Sequence, residues 1–158
     1  MLFRSSLSTS EIDDIFEFRS QGKGIFLMTD GKEYWPIANQ ISREFNVEFF
    51  DGAPRNSFIK ILDQSHPILY GVDSLSTFSE AKMTVTAPAE VILSDNYGGI
   101  IAVLDDGFGR VVFDASFARA WDFDANKYQN EIYLANVAMW LSEIGDADDD
   151  GKIGRAHV

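Results

Sequence analysis

The feature that most constrains the fold is a run at residues 24–29, which is apolar on both faces of an extended chain. Strands buried on both faces are typical of parallel sheets, because helices cover each side. An amphipathic helix precedes the run and begins at a capping box at residues 8–11. A second helix is predicted over about 35–45, followed by a short strand at 47–50. This order of helix, strand, helix and strand predicts a layered α/β domain.

The middle of the chain alternates extended segments with turn signals. Residues 105–110 read as a hairpin turn between two strands. The last helix is predicted over about 129–144, where apolar residues recur at helical spacing and must dock on a sheet. Further strands are predicted at 58–62, 83–86, 91–93, 100–104 and 111–113.

Composition excludes several function classes. The chain has 25 acidic and 13 basic residues, a formal charge of −12, which disfavours non-specific binding to nucleic acid or anionic membranes. No apolar run approaches the roughly 20 residues that a membrane-spanning helix needs, so no membrane insertion is expected. The absence of cysteine excludes disulfides, thiolate metal sites and a cysteine nucleophile. No G-x-S-x-G motif supplies a serine nucleophile instead.

Five short segments carry a family resemblance through their order and spacing. They are 18–27, 38–49, His66-Pro67 with Gly71-Val72, 109–114, and Asn136 with Trp140-Leu141. Together they resemble the class I glutamine amidotransferase-like superfamily, in particular its non-catalytic, trehalose-utilisation-like relatives. Lys23 departs from the glycine that this family usually has at the centre of its glycine triplet, which puts close backbone approach there in doubt.

The resemblance implies a flavodoxin-like three-layer α/β/α sandwich with a mostly parallel sheet. Domains of this group begin with a strand and a helix that would precede Ser8, so the resemblance also implies truncation at the N-terminus. Met1 is then internal to a longer protein. The start of this sequence, residues 1–10, has no long apolar segment and does not read as a signal peptide.

Candidate ligand-binding residues follow two of the predicted strands. Asp30 follows the strand at 24–29, and Asp114 follows the strand at 111–113. If these strands are parallel, their carboxyl ends share one edge of the sheet. Paired carboxylates there suit acid/base chemistry or a bound cation, whereas the alternative is that each caps a following helix or turn. The predicted lining of a pocket is Asp30, Trp35, Asn39, His66 and Asp114.

Two interpretations stay open for His66. It is either a general base or a turn residue that hydrogen-bonds the backbone, and no motif places a nucleophile beside it. No catalytic residue is therefore assigned.

An acidic segment near the end resembles the first half of an EF-hand or dockerin-like calcium repeat. Oxygen ligands stand at loop positions 1, 3 and 5, and Gly151 allows the sharp turn at position 6. Position 12, which should supply a carboxylate, is His157, so weak Ca²⁺ binding or a solvated acidic tail is expected in this chain. The predicted metal ligands are Asp146, Asp148, Asp150 and the carbonyl of Lys152. The similar segment 122–126 lacks the glycine, where Lys127 stands, and predicts a turn.

The last six residues, IGRAHV, match one reading frame of a common sequencing adapter, which is typical of a translated metagenomic fragment. The predicted organisation is an α/β domain over 1–144, the start of a calcium repeat or an acidic linker over 145–152, and an artefactual tail over 153–158.

These features predict a non-catalytic ligand-binding or structural module of a larger secreted or surface protein of a prokaryote, located outside the cell, at its surface or in the periplasm. Its partners would be a ligand such as a carbohydrate or peptide, and neighbouring domains of the same chain. No cofactor is expected, apart from Ca²⁺ in the full-length parent, where the repeat would mediate docking. The alternative is a trehalose-utilisation-like hydrolase or isomerase that uses Asp30, Asp114 and His66.

Overall fold

The computed structural model describes residues 6–31, 34–51, 58–77, 80–120 and 126–143. Within these ranges the helices are α1 (Thr9–Ser20), α2 (Trp35–Ser42) and α3 (Asn130–Ser142). Short 3₁₀ turns lie at Arg43–Phe45, Pro67–Leu69 and Phe117–Ala120. The strands are β1 (Ile25–Met28), β2 (Val47–Phe50), β3 (Phe58–Lys60), β4 (Ser74–Ser76), β5 (Lys82–Val85), β6 (Glu90–Asp95), β7 (Gly98–Asp105) and β8 (Arg110–Asp114).

Local signals account for the ends of the first two helices. At the start of α1, the Ser8 hydroxyl accepts from the Glu11 amide at 3.3 Å, and the Glu11 carboxylate accepts from the Ser8 amide at 2.8 Å. The predicted capping box is therefore present. The helix predicted over 35–45 is α2 followed by a 3₁₀ turn, and it ends where Asn46 takes a left-handed conformation with φ of 59°.

Six strands form one mixed, curled sheet. Its order is β1-β8-β7-β5-β2, and β6 pairs with β7 outside this path. In the part of the chain that the structure describes, β1 and β8 run parallel, with Met28 opposite Asp114, and the other pairs are antiparallel. β3 and β4 form a separate two-stranded sheet.

The flavodoxin-like sandwich with a mostly parallel sheet is therefore wrong. Asn96 and Tyr97 alone separate β6 from β7, and a tight turn at 106–109 separates β7 from β8. Connections this short can join only antiparallel strands, because a parallel crossover needs about a dozen residues. The apolar run at 24–29 belongs to a parallel pair, but its pattern carries no information about the strands that follow.

The core has two parts, one on each face of the sheet. One part lies between the sheet and the helices α1 and α2, and includes Phe45, Phe49 and Phe113. The other lies between the sheet, α3 and the β3–β4 hairpin. Both faces are covered, which is why β7 and β8 are apolar almost throughout although they are antiparallel to each other. α3 lies along one face, with Tyr133 near its start bonded to Asp114 at the end of β8 and Trp140 near its end bonded to Arg110 at the start of β8.

Candidate functional site

The carboxyl ends of β1 and β8 meet at one edge of the sheet. The Thr29 amide donates to the Asp114 carbonyl at 3.0 Å, and the Phe117 amide donates to the Thr29 carbonyl at 2.7 Å. Asp30 is buried, and its Oδ1 accepts from the Gly31 amide at 2.8 Å. The structure therefore brings the backbones of Asp30 and Asp114 to the same edge.

Asp114 is the centre of a buried polar network. It is fully buried and pairs with Arg119, which is also fully buried. Its Oδ2 accepts from the Tyr133 hydroxyl at 2.7 Å, and its Oδ1 accepts from the Ser116 amide at 2.9 Å. Burial raises the pKa of Asp114, whereas the Arg119 guanidinium opposes that rise. Both carboxylate oxygens are engaged by the protein's own donors, which is the pattern of a structural carboxylate.

The network continues through buried charges on neighbouring elements. Arg119 Nη2 lies 3.9 Å from Glu80 Oε2, and Lys82 Nζ lies 2.6 Å from Glu80 Oε1 and 2.9 Å from Asp95 Oδ2. Burial raises the pKa of Glu80, against the two cations beside it. The network thus joins the end of β8, the start of β5 and the end of β6. Its charges alternate in sign, as buried charges must if they are to be tolerated.

Asn39 and Trp35, predicted to lie with Asp30, have other surroundings. Asn39 Oδ1 accepts from the Phe49 amide at 2.7 Å, and its Nδ2 donates to the Phe49 carbonyl at 2.8 Å. Asn39 therefore ties α2 to β2, the strand at the opposite end of the sheet order from β1. Trp35 packs against the core cluster of α1 and α2, and its Nε1 makes no hydrogen bond within the described residues.

His66 lies at the other end of the sheet from the two aspartates. Its ring packs edge-on against Trp140, with ring centres 5.5 Å apart, and Arg110 lies over the same indole at 4.7 Å. Arg110 is the first residue of β8 and Asp114 is the last, and the two lie about 13 Å apart at the usual strand rise. Asp30, Asp114 and His66 therefore do not converge, and the enzyme alternative finds no shared site in this geometry.

The surface beside α3 carries a groove that the sequence analysis missed. Its volume is about 350 Å³. Tyr70 and Met139 are 75% and 63% exposed there, so two large apolar side chains stand next to each other at the surface. The signal in the sequence is Met139, an apolar residue of α3 that lies outside the buried face formed by Tyr133, Val137 and Trp140, as Ile132 also does. The lining residues are Ser65, Pro67, Tyr70, Asn136, Met139, Trp140 and Glu143.

Polar contacts hold the walls of this groove. Asn136 Nδ2 donates to the Tyr70 carbonyl at 2.8 Å and to the Ile68 carbonyl at 3.2 Å, so one wall is fastened to α3. Arg110 Nη1 donates to the Trp140 carbonyl at 2.7 Å and lies 3.3 Å from Glu143 Oε2. A cation thereby caps the carboxyl end of α3, where the helix dipole favours it.

Among the described residues no group of three or more His, Asp or Glu side chains could hold a metal ion. The calcium-loop ligands Asp146, Asp148, Asp150 and Lys152 lie outside the described residues, and so does most of the segment 122–126. None of the helices that the structure describes is long and apolar enough to cross a membrane.

Comparisons with known proteins show the fold alone. No family model matches this chain, and no curated protein matches it. Among solved structures, the mmIFT52 N-terminal domain is 17% identical with a TM-score of 0.67, over 89% of this chain and 74% of that one. The cytoplasmic protein STM3548 from Salmonella typhimurium is 14% identical with a TM-score of 0.58, over 85% and 61% respectively.

A third similar structure is the exo-beta-1,4-mannosidase Op5Man5 from Opitutaceae bacterium strain TAV5. It is 17% identical with a TM-score of 0.54, over 87% of this chain but only 24% of that one. Identities this low carry no residue roles from one protein to another. The glutamine amidotransferase-like and dockerin-like resemblances stay predictions.

Proposed function

We propose that this domain is a non-catalytic binding module of a larger secreted or surface protein, and that its ligand is a neutral carbohydrate held in the groove beside α3. The observation that carries the proposal is the groove itself. It combines exposed apolar surface from Tyr70 and Met139 with polar groups from Ser65, Asn136 and Glu143.

The chemistry of the lining supports a sugar. A pyranose ring has an apolar face of C–H groups that packs on aromatic rings, and hydroxyl groups that pair with planar amides and carboxylates. Both nitrogen-bound hydrogens of Asn136 serve the protein backbone, whereas its Oδ1 makes no hydrogen bond within the described residues. The volume of about 350 Å³ lies near the lower end of the range for small-molecule sites, about 300–1,000 Å³.

Charge and topology favour a sugar over other ligands. The formal charge of −12 repels polyanions such as nucleic acid. An extended peptide binds most simply by adding a strand to an exposed sheet edge, but helix α3 and the turn at 65–70 form the groove. A neutral, compact ligand suits these walls best.

Two features of the sequence support the proposal that this domain is part of a larger secreted or surface protein. The resemblance to non-catalytic relatives of the glutamine amidotransferase-like superfamily agrees with a chain that contains no cysteine. The resemblance of residues 145–152 to the start of a calcium repeat favours a secreted or surface protein built from several domains.

The test is titration of the chain with three neutral trisaccharides, maltotriose, cellotriose and mannotriose, by calorimetry and by amide NMR shifts. We expect saturable binding of at least one, with shifts at Asn136 and Glu143. Tyr70→Ala should weaken binding about tenfold, as loss of an aromatic contact in a binding site does. The matched control is Tyr97→Ala, because Tyr97 is a similarly exposed tyrosine outside the groove. Binding that Tyr70→Ala leaves unchanged, or no binding of any trisaccharide, would overturn the proposal.

A further inference from the structure

One wall of the groove is a short turn that depends on His66. Ser65, Pro67 and Tyr70 line the groove from this wall, and His66 stands at the N-cap of the 3₁₀ turn Pro67–Leu69. His66 Nδ1 accepts from the Ile68 amide at 3.3 Å, although Ile68 itself is fully buried. An unprotonated Nδ1 is the acceptor in this bond, so the ring is neutral and carries its proton on Nε2.

The surroundings of the ring favour this neutral form. Burial lowers the pKa of His66, the Arg110 cation lowers it further, and Glu90 on β6 raises it. Arg110 is itself paired with Asp105 Oδ2 at 2.8 Å and with Glu143 Oε2 at 3.3 Å. A protonated imidazole would therefore meet the arginine across the Trp140 ring, which both of them contact.

Protonation changes the wall in two ways. It replaces the acceptor at Nδ1 by an N–H donor, which faces the Ile68 N–H and cannot bond to it. It also leaves the buried Ile68 amide without its partner, which destabilises the turn. The remaining fastening is Asn136, which holds the carbonyls of Ile68 and Tyr70 from α3.

We propose that His66 is a pH-dependent switch for the groove: its neutral ring holds the wall formed by residues 65–70, and its protonation releases that wall and lowers ligand affinity. This inference rests on the proposed function for the affinity that it regulates. The structural half of the switch, the state of the wall, does not need the ligand.

The direction of the effect follows from linkage. The folded chain favours neutral His66 more than the unfolded chain does. The stabilisation that the neutral ring gives is therefore complete above the ordinary histidine pKa of about 6.5, and it is lost as the pH falls from there through the lowered pKa of the folded chain. If one proton is coupled to binding, the dissociation constant of the ligand rises by at most about tenfold for each pH unit below the pKa of His66 in the folded chain.

The state of the wall is tested by NMR without ligand. The chain has two histidines, so a His157→Gln background leaves His66 as the single ring signal. At about pH 7.5 the ring ¹⁵N shifts should show the tautomer protonated on Nε2. Below the pKa of His66 in the folded chain, the protection factor of the Ile68 amide, which compares its exchange with that of an unstructured amide at the same pH, should fall more than that of Val112, a buried control amide on β8. A ring protonated on Nδ1 at neutral pH, or Ile68 protection that follows that of Val112, would overturn the switch.

The affinity is tested with the trisaccharide that binds best, at about pH 7.5 and pH 5. Wild type should weaken at the lower pH, and the His157→Gln control should weaken equally. His66→Asn should keep its affinity at both values, because asparagine is an N-cap acceptor that does not titrate. Equal wild-type affinity at both pH values overturns the switch but leaves the proposed function intact. If no trisaccharide binds, the proposed function fails, and the NMR result alone decides the behaviour of the wall.

Discussion

At the scale of single residues, burial decides what a carboxylate does. Asp114 stands where ligands bind in many α/β folds, at the carboxyl end of a parallel strand. In this chain Arg119, Tyr133 and the Ser116 amide occupy its two oxygens. Asp114 therefore stabilises the junction of β8 and α3, and its substitution should be read first as a change in stability.

Removing the charge of Asp114 should strongly destabilise the fold. Asp114→Asn leaves Arg119 buried without its main partner, which costs about 3–5 kcal/mol. Tyr133→Phe removes one hydrogen bond to the same carboxylate and should cost about 1–3 kcal/mol. The measurement is the free energy of unfolding from urea denaturation. Arg43→Gln, which removes the exposed ion pair with Glu48, is the control and should cost at most about 1 kcal/mol. A cost for Asp114→Asn no larger than that of Arg43→Gln would contradict this role.

The pH dependence of stability should reveal Glu80. Its pKa is raised in the folded chain, mainly by burial. The contribution of protonated Glu80 to the free energy of unfolding is therefore complete below its ordinary pKa of 4.5, and it is lost as the pH rises through the raised pKa of the folded chain. Glu80→Gln removes this dependence. The stability advantage of wild type over the variant should therefore be largest near pH 4 and should shrink toward pH 7. Urea denaturation at several pH values measures it, and an advantage that grows with pH would refute the assignment.

At the scale of elements, the turn between β7 and β8 also positions α1. Gly107 and Gly109 both have positive φ, 83° and 130°. A Cβ at Gly109 would lie 2.8 Å from the Arg19 carbonyl oxygen and 2.9 Å from that of Lys23, whereas a Cβ at Gly107 would contact nothing within 4 Å. The turn is thus pressed against the end of α1 at one glycine and open to solvent at the other.

Alanine at these two glycines should separate backbone strain from crowding. Gly107→Ala should cost about 1–2 kcal/mol, because a left-handed conformation disfavours a Cβ. Gly109→Ala should cost about 1–3 kcal/mol more, since the backbone of α1 must also move. Thermal or urea denaturation of both variants measures the difference. If the two variants lose the same free energy of unfolding, the end of α1 moves to accept the Cβ at position 109 without a loss of stability.

At the scale of the whole molecule, β7 is the centre of the sheet. It pairs with β8, β5 and β6, and its residues 99–104 are buried. β3 and β4 pair with each other, have three residues in each strand and have no third strand among the described residues, although Ser74 and Ser76 are hydrogen-bonded to Gln129 and Asn130 at the start of α3. β7 is therefore held by strands on both sides, whereas the β3–β4 pair depends on its packing against α3 and the core.

Hydrogen exchange should follow this division. The amides of β7 and β8 should exchange slowest, with protection that corresponds to the free energy of global unfolding, because they open only with the whole core. Those of β3 and β4 should exchange faster through local opening. Exchange measured by NMR or mass spectrometry on the intact chain tests this order. Protection of β3 and β4 equal to that of β7 would show that the hairpin unfolds only with the core.

The sequence alone determined the local features of this protein. The capping box of α1, the helix at 130–142, the hairpin turn at 106–109 and the exclusion of cysteine chemistry are all readable from neighbouring residues or from composition. These features depend on backbone preferences and side chains a few positions apart. They determine where the helices, strands and turns lie along the chain, but they do not determine how the strands pair.

Only the tertiary structure decided strand direction, the roles of the polar residues and the position of the groove. The predicted parallel sheet was wrong because pairing is a contact between distant segments, and an apolar run is equally suited to any strand covered on both faces. The sequence predicts one pocket for Asp30 and His66 because chain order does not show that they lie at opposite ends of the sheet. The groove arises where α3 meets the turn at 65–70, about 70 residues apart in sequence, and only packing brings those two surfaces together.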